Sequence, residues 1–169
     1  MVILMGNTFK KPIVIAHRGA SGYLPEHTLV SKAVAHTMGA DFLEQDVVLT
    51  KDAVPIVLHD IYLESTTNVA HIFPNRQQSD GHFYVLDFDL DEIRQLSINE
   101  RLIMDDNSSY TRVFEDRFPY VEKLFKIPTL REEVSMISGL NKSRGKTAGI
   151  YVELKSPKIH WEAGYDIAD

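Results

Sequence analysis

Ile13-Val14-Ile15-Ala16-His17-Arg18-Gly19-Ala20 is the stretch on which the architecture of this chain turns. Four apolar residues in a row read as a short buried strand, and the run ends in an imidazole, a guanidinium and a glycine. A strand that ends this way delivers reactive side chains to the rim of a sheet. The pattern recurs. Asp41-Phe42-Leu43-Glu44-Gln45-Asp46 ends in paired carboxylates, and Ile56-Val57-Leu58-His59-Asp60 ends in His-Asp. Gly149-Ile150-Tyr151-Val152-Glu153-Leu154-Lys155 carries a carboxylate and an amine two residues apart. Imidazoles, acids and cations at the ends of consecutive strands describe an active site.

The text between these segments predicts how they are connected. Glu26 to Met38 reads as a helix, with Leu29, Ala33 and Val34 at helical spacing and Gly39 as its stop. Strands are predicted over 13–16, 41–46 and 54–58, and the strand–helix–strand start implies parallel pairing by a right-handed crossover. The gap from Asp46 to Val54 is too short for a helical crossover of about 10–12 residues. Val47 to Lys51 is therefore expected to run back as an extended segment, with a turn near Asp52 that brings His59 close to Asp46. From Glu64 to Phe125 the sequence becomes polar and turn-rich, with Asp80-Gly81, 105–109 and Phe118-Pro119. It holds one short helix, roughly Asp89 to Leu96, and reads as a functional cover or insertion rather than core. Thr129 opens a helix through Ser138, with Glu132 at the capping-box position and Gly139 following. A fourth strand begins near Ala148. No internal repeat or low-complexity tract is present.

Bulk properties exclude whole classes. A hydrophobic content of 44% is enough for a core, and a formal charge of −6 argues against a nucleic-acid partner. No apolar run approaches the roughly 20 residues that span a bilayer. Met1-Val2-Ile3-Leu4-Met5 is shorter than the apolar stretch of about 7–15 residues in a signal peptide. The absence of cysteine rules out disulfides and thiolate ligands and is compatible with either redox compartment.

Two pairs of residues and one glycine carry the chemistry. Glu44 and Asp46, two apart, leave one face of an extended segment. Held together they repel and raise one pKa unless a cation lies between them. Their oxygens suit one hard divalent cation, Ca²⁺ or Mg²⁺. Arg18 and Lys155 offer positive charge to a phosphate, one as a bidentate fork and one as a point charge. Gly19 is expected to let the backbone approach a ligand closely.

Taken together, His17-Arg18-Gly19-Ala20, Pro25-Glu26-His27-Thr28, Glu44-Gln45-Asp46, Leu58-His59-Asp60 and Glu153-Leu154-Lys155 resemble the glycerophosphodiester phosphodiesterases. The likeness is to the bacterial periplasmic branch and covers roughly residues 12–160. It implies an α/β fold of the (β/α)8 barrel type, about 250 residues or more in full. Residues 12–169 would be part of that domain, about its first four strands, with an insertion at about 64–125. Four strands alone would leave open sheet edges, which favour pairing with a second copy and predict little activity for these residues by themselves.

The resemblance also implies a reaction: metal-dependent hydrolysis of glycerophosphodiesters to sn-glycerol 3-phosphate and an alcohol. Glu153 becomes a third metal ligand beside Glu44 and Asp46. His17 and His59 become the general acid and base, with Arg18 and Lys155 on the phosphate. Asp60 is expected to orient His59 or a loop. Glu26 has a structural role at the helix start, supports the metal indirectly, or contacts the site directly. His27, His36, His71, His82 and His160 read as structural, with a reservation for His27 because it lies inside a matching motif. The alternatives are a non-catalytic remnant of such an enzyme and a related phospholipase D-like phosphodiesterase.

Overall fold

Strand β1 (Ile15–Ala16) leads into α1 (Leu29–Met38), whose N-cap Thr28 accepts the Ser31 N–H at 3.1 Å. A computed structural model describes residues 11–104, 110–115, 117 and 124–168. The expected turns at 105–109 and Phe118-Pro119, and the apolar start at 1–5, lie outside the described residues. α1 begins three residues later than expected because His27 has φ 60, a left-handed conformation that interrupts helix geometry, and Thr28 is extended. Gly39, at φ 92, closes the helix as expected.

β2 (Phe42–Leu49) is the spine of the molecule. It pairs in parallel with β1 (Ile15 with Phe42, Ala16 with Leu43) and, on its other edge, with β6 (Gly149–Leu154), from Phe42 with Gly149 to Val47 with Leu154. β3 (Pro55–Val57) pairs antiparallel, Val47 with Val57. The reversal therefore comes one strand later than expected. Val47 to Leu49 continue β2, the chain turns over Thr50–Ala53, and β3 is what runs back. Thr50 Oγ1 accepts the Val54 N–H at 3.0 Å and donates to Asp52 Oδ1 at 2.5 Å, which fixes that turn. Among the described residues the sheet has four strands, of which β1, β2 and β6 run parallel.

Two apolar clusters flank β2. Leu43 joins Ala20, Ala35 of α1 and Ile137 of α4 (Leu130–Arg144). Val48 belongs to a larger cluster with Ile56, Leu58, Leu63, Val69, Phe83, Phe88, Ile93 and Ile98. Most of that cluster comes from the segment read as a cover, so 64–98 builds core. Its apolar residues come in short runs broken by polar ones, anchored by short elements: α2 (Val69–Ile72), α3 (Leu90–Ile93, with an Asp89/Glu92 capping box) and 3₁₀ turns at Pro74–Arg76 and Val85–Asp87. A two-stranded ribbon follows, β4 (Leu102–Met104) against β5 (Tyr110–Arg112).

α4 has the predicted capping box, Thr129 Oγ1 accepting the Glu132 N–H at 3.2 Å while Glu132 Oε2 accepts the Thr129 N–H at 2.8 Å. It passes through Gly139 and stops at Gly145, φ 60. An interior glycine costs only about 1 kcal/mol, and the seating of Ile137 on Leu43 outweighs it. α5 (Pro157–Glu162) closes the described chain. At the ends of the parallel set Ile13, Ile15, Tyr151 and Val152 are exposed, which corrects the reading of 13–16 as a buried strand: no described residue covers that edge. Among the described residues no helix is long and apolar enough to cross a membrane.

Candidate active site

Successive odd and even positions of β2 face opposite layers. Leu43 and Gln45 turn to the helices, Gln45 donating to Glu133 Oε1 of α4 at 3.0 Å. Glu44 and Asp46 turn the other way and are both buried. His27 comes in beside them from the loop before α1, and one ligand atom from each of His27, Glu44 and Asp46 falls within 4.8 Å of the others. His27 Nε2 lies 2.9 Å from Asp46 Oδ2. Its left-handed backbone, with its N–H donating to Arg18 O at 3.1 Å, is the kind of local strain found at functional sites. Burial holds the imidazole down to about 4, so it is neutral at pH 7.

The two carboxylates are driven apart. Burial pushes Glu44 up to about 7, against the Arg18 N–H, and the Asp46 charge adds to the rise. Burial also opposes ionisation of Asp46, but the His27 hydrogen bond and the charges of Lys155 and His59 outweigh it, and Asp46 falls to about 2. Glu44 Oε2 accepts the Arg18 N–H at 2.6 Å, whereas Oε1 is buried with no hydrogen-bond partner among the described residues. A buried carboxylate oxygen left bare beside a second carboxylate is a cost unless a cation joins them.

Arg18, at φ 60, places its guanidinium between acids: Nη1 is 3.1 Å from Glu26 Oε1 and Nε is 3.6 Å from Asp46 Oδ2. Glu153 is the register partner of Asp46 across the β2–β6 pairing and so lies beside it on the same face. Its side chain is half exposed and bonded to Lys155, whose Nζ lies 2.6 Å from Glu153 Oε1 and 3.6 Å from Asp46 Oδ1. Gly19 is packed against protein. A Cβ there would meet Ser31 Oγ at 2.5 Å, so the close contact with α1 requires the glycine.

His59 arrives from the end of β3, where the Leu58 N–H donates to Asp46 O at 3.0 Å. Its Nδ1 hydrogen-bonds Asp60 Oδ1, as expected from the His-Asp pair. Asp60 Oδ2 in turn accepts from Ser65 Oγ at 2.5 Å and Arg101 Nη1 at 2.6 Å. These bonds overcome its burial and keep Asp60 well below the usual carboxylate range. Exposed His17 lines a cleft of about 220 Å³ with Arg18, Ser21, Glu26, Arg101 and Arg117.

Sequence reading missed Arg101 and undervalued His27. The signal for His27 was its motif; Arg101 offered none. The other histidines are structural or exposed. His36 Nε2 is 3.0 Å from Asn141 Oδ1, His160 Nε2 accepts the Leu49 N–H at 3.0 Å, His82 pairs with Glu64 at 2.6 Å, and His71 is exposed.

Comparison with known proteins gives these positions a context. The glycerophosphodiester phosphodiesterase of Haemophilus influenzae is 48% identical over 97% of this chain and 45% of that protein. That of Treponema pallidum is 43% identical over 98% of the chain and 46% of that protein. The chain thus spans about half the length of these curated relatives. An Oleispira antarctica phosphodiesterase solved in complex with the product sn-glycerol-3-phosphate superposes with a TM-score of 0.57 at 31% identity, covering 85% of this chain and 44% of that one. The sequence model of the glycerophosphoryl diester phosphodiesterase family matches residues 17–169, and the chain belongs to that family.

Proposed function

We propose that the protein carrying this chain hydrolyses glycerophosphodiesters to sn-glycerol 3-phosphate and an alcohol, with one divalent cation. The observation that carries the reading is the buried His27–Glu44–Asp46 cluster with its bare Glu44 oxygen, set beside two cationic side chains. A cation fits this donor set: a buried Glu44 oxygen with no partner among the described residues, a second carboxylate beside it, and an imidazole held neutral and so able to ligate. Glu44 and Asp46 would hold it, His27 offers a further donor, Glu153 is assigned as the third carboxylate on the family resemblance, and carboxylate oxygens favour Ca²⁺ or Mg²⁺. Bound there, the ion supplies Lewis-acid charge neutralisation to the phosphoryl group.

The chain's own residues account for the rest. One of His17 and His59 takes the proton of the glycerol 2-hydroxyl, whose oxygen bonds to phosphorus as the bond to the departing alcohol oxygen breaks. The other gives a proton to that oxygen. Water then opens the cyclic phosphate, with the two histidines in exchanged roles. Arg18 and Lys155 stabilise charge on the phosphoryl oxygens. In the same reading residues 12–169 are part of a (β/α)8 barrel, with α1 and α4 as crossovers between parallel strands and 64–125 as an insertion.

The test is release of sn-glycerol 3-phosphate from glycerophosphocholine by the whole protein, abolished by EDTA and restored by Ca²⁺ or Mg²⁺. Turnover that survives chelation would remove the cation. Cleavage of sphingomyelin in place of glycerophosphocholine would favour the phospholipase D-like alternative.

A further inference from the structure

Arg101 sits immediately before β4, far in sequence from every motif, yet its guanidinium reaches the centre of the site. Nε and Nη2 grip the carboxylate of Glu26 at 3.2 Å and 2.6 Å, and Nη1 lies 2.6 Å from Asp60 Oδ2. All three guanidinium nitrogens are used, and the side chain is largely shielded from solvent. Backbone bonds fix the approach: the Leu102 N–H donates to Ser65 O at 2.7 Å, the Asn99 N–H to Thr66 O at 2.8 Å, and the Val113 N–H to Arg101 O at 3.1 Å. The segment that supplies Arg101 is thus tied to the one whose Ser65 hydroxyl also holds Asp60. Glu26 Oε1 takes Arg18 Nη1 as well, at 3.1 Å. The result is one unbroken chain of charged groups, Arg18–Glu26–Arg101–Asp60–His59.

We propose that Arg101 is a positioning residue for His59, acting through Asp60. This rests on the phosphodiesterase reading of the site. A carboxylate that accepts from Nδ1–H selects the tautomer in which Nε2 is free to take and give a proton. Asp60 performs that task while it is ionised and held still. Arg101 does both, because a planar guanidinium clamped on Glu26 cannot swing away from Asp60 without giving up two further bonds. Lysine is a poor substitute here: an ammonium lacks the flat fork that spans both acids.

The experiment compares the whole protein with Arg101→Ala, Arg101→Lys, Asp60→Asn and the double variant Arg101→Ala/Asp60→Asn. Loss of such a supporting group typically costs about 10–100-fold. That loss is expected in kcat for Arg101→Ala, with KM within threefold, and a smaller loss for Arg101→Lys. The double variant should be no slower than Asp60→Asn alone, because both act on one imidazole. ¹⁵N shifts of the His59 ring should report protonated Nδ1 in the parent and a tautomer mixture in Arg101→Ala. Losses that multiply in the double variant, an effect confined to KM, or unchanged ring shifts would each overturn the proposal. If Arg101→Ala does not fold, Arg101→Lys carries the same comparison. A parent without phosphodiesterase turnover would refute the function while leaving the ring-shift test in force.

Discussion

Lys32 of α1 and Glu133 of α4 meet in the layer between helices and sheet, Nζ to Oε1 at 2.7 Å, with both side chains wholly excluded from solvent. The lysine also donates to the backbone carbonyl of Glu44, and Gln45 donates to the same Glu133 oxygen. The pair therefore pins both helices to β2 directly behind the candidate cation site. Breaking a buried ion pair by removing one partner costs roughly 3–5 kcal/mol, because the other charge stays buried. Lys32→Met is expected to lose about that much in chemical denaturation. Lys32→Met/Glu133→Leu should regain most of it, since no charge is then stranded. A double variant as unstable as the single one would show that the bond to Glu44 O, and not charge pairing, is what matters.

Divalent cation should stabilise the protein through the acids of β2. Adding Ca²⁺ or Mg²⁺ to EDTA-treated protein is expected to raise its thermal midpoint, as any ligand of the native state does. Glu44→Gln and Asp46→Asn should remove the rise, and Glu153→Gln should reduce it. The same midpoint in Glu153→Gln and parent at saturating ion would strike Glu153 from the ligand set.

His17→Ala and His59→Ala should each slow turnover by about 10²–10⁴-fold with folding intact. Exposed His71→Ala is the control and should stay within threefold of the parent. A rate that near the parent for His17 or His59 would take that residue out of proton transfer.

Gly19→Ala should destabilise markedly. Its φ of 86 disfavours any side chain, and the added Cβ would press on Ser31 Oγ at 2.5 Å and on the Ser31 carbonyl carbon at 2.9 Å. Strain of this kind costs on the order of 1–3 kcal/mol, readable as a shifted urea midpoint.

The pH dependence in EDTA should expose an internal cancellation. Glu44 is raised from 4.5 to about 7 in the folded state, so the folded protein holds a proton that the unfolded chain has lost, and stability falls as pH rises across that window. His27 is lowered from 6.5 to about 4, so the unfolded chain binds the extra proton and stability rises over nearly the same window. Between pH 4.5 and 6.5 the two contributions oppose each other, so Glu44→Gln should shift the slope of stability with pH in the positive direction relative to the parent. An unchanged slope in Glu44→Gln would mean that Glu44 is not raised.

What the sequence disclosed was whatever a short window contains. The Glu44-Gln45-Asp46 spacing places two acids on one face, Thr129 with Glu132 writes a helix start, and His59-Asp60 writes a hydrogen-bonded pair. What it concealed depends on tertiary contact. Arg101 has partners at Glu26 and Asp60, far along the chain, and no local period marks it. His27 became a site residue through a left-handed backbone that its letter does not announce. Leu63, Val69, Phe83 and Phe88 belong to short apolar runs scattered through polar text, so the larger core was invisible until it was assembled.

The long reach of the β2–β6 pairing puts a clock on the site. Phe42 waits for Gly149, and Asp46 for Glu153, so β2 leaves the ribosome with one of its edges unclaimed. Synthesis runs at about 5–20 residues per second, so the intervening stretch takes on the order of 5–20 seconds to appear. Throughout that interval the strand that carries the acids presents an open row of amides and carbonyls, the template on which chains pair wrongly. Glu44 and Asp46 are still solvated then, and their mutual repulsion discourages two nascent copies from stacking β2 on β2. The charges proposed to hold a cation in the finished site would thus guard the strand while it is being made.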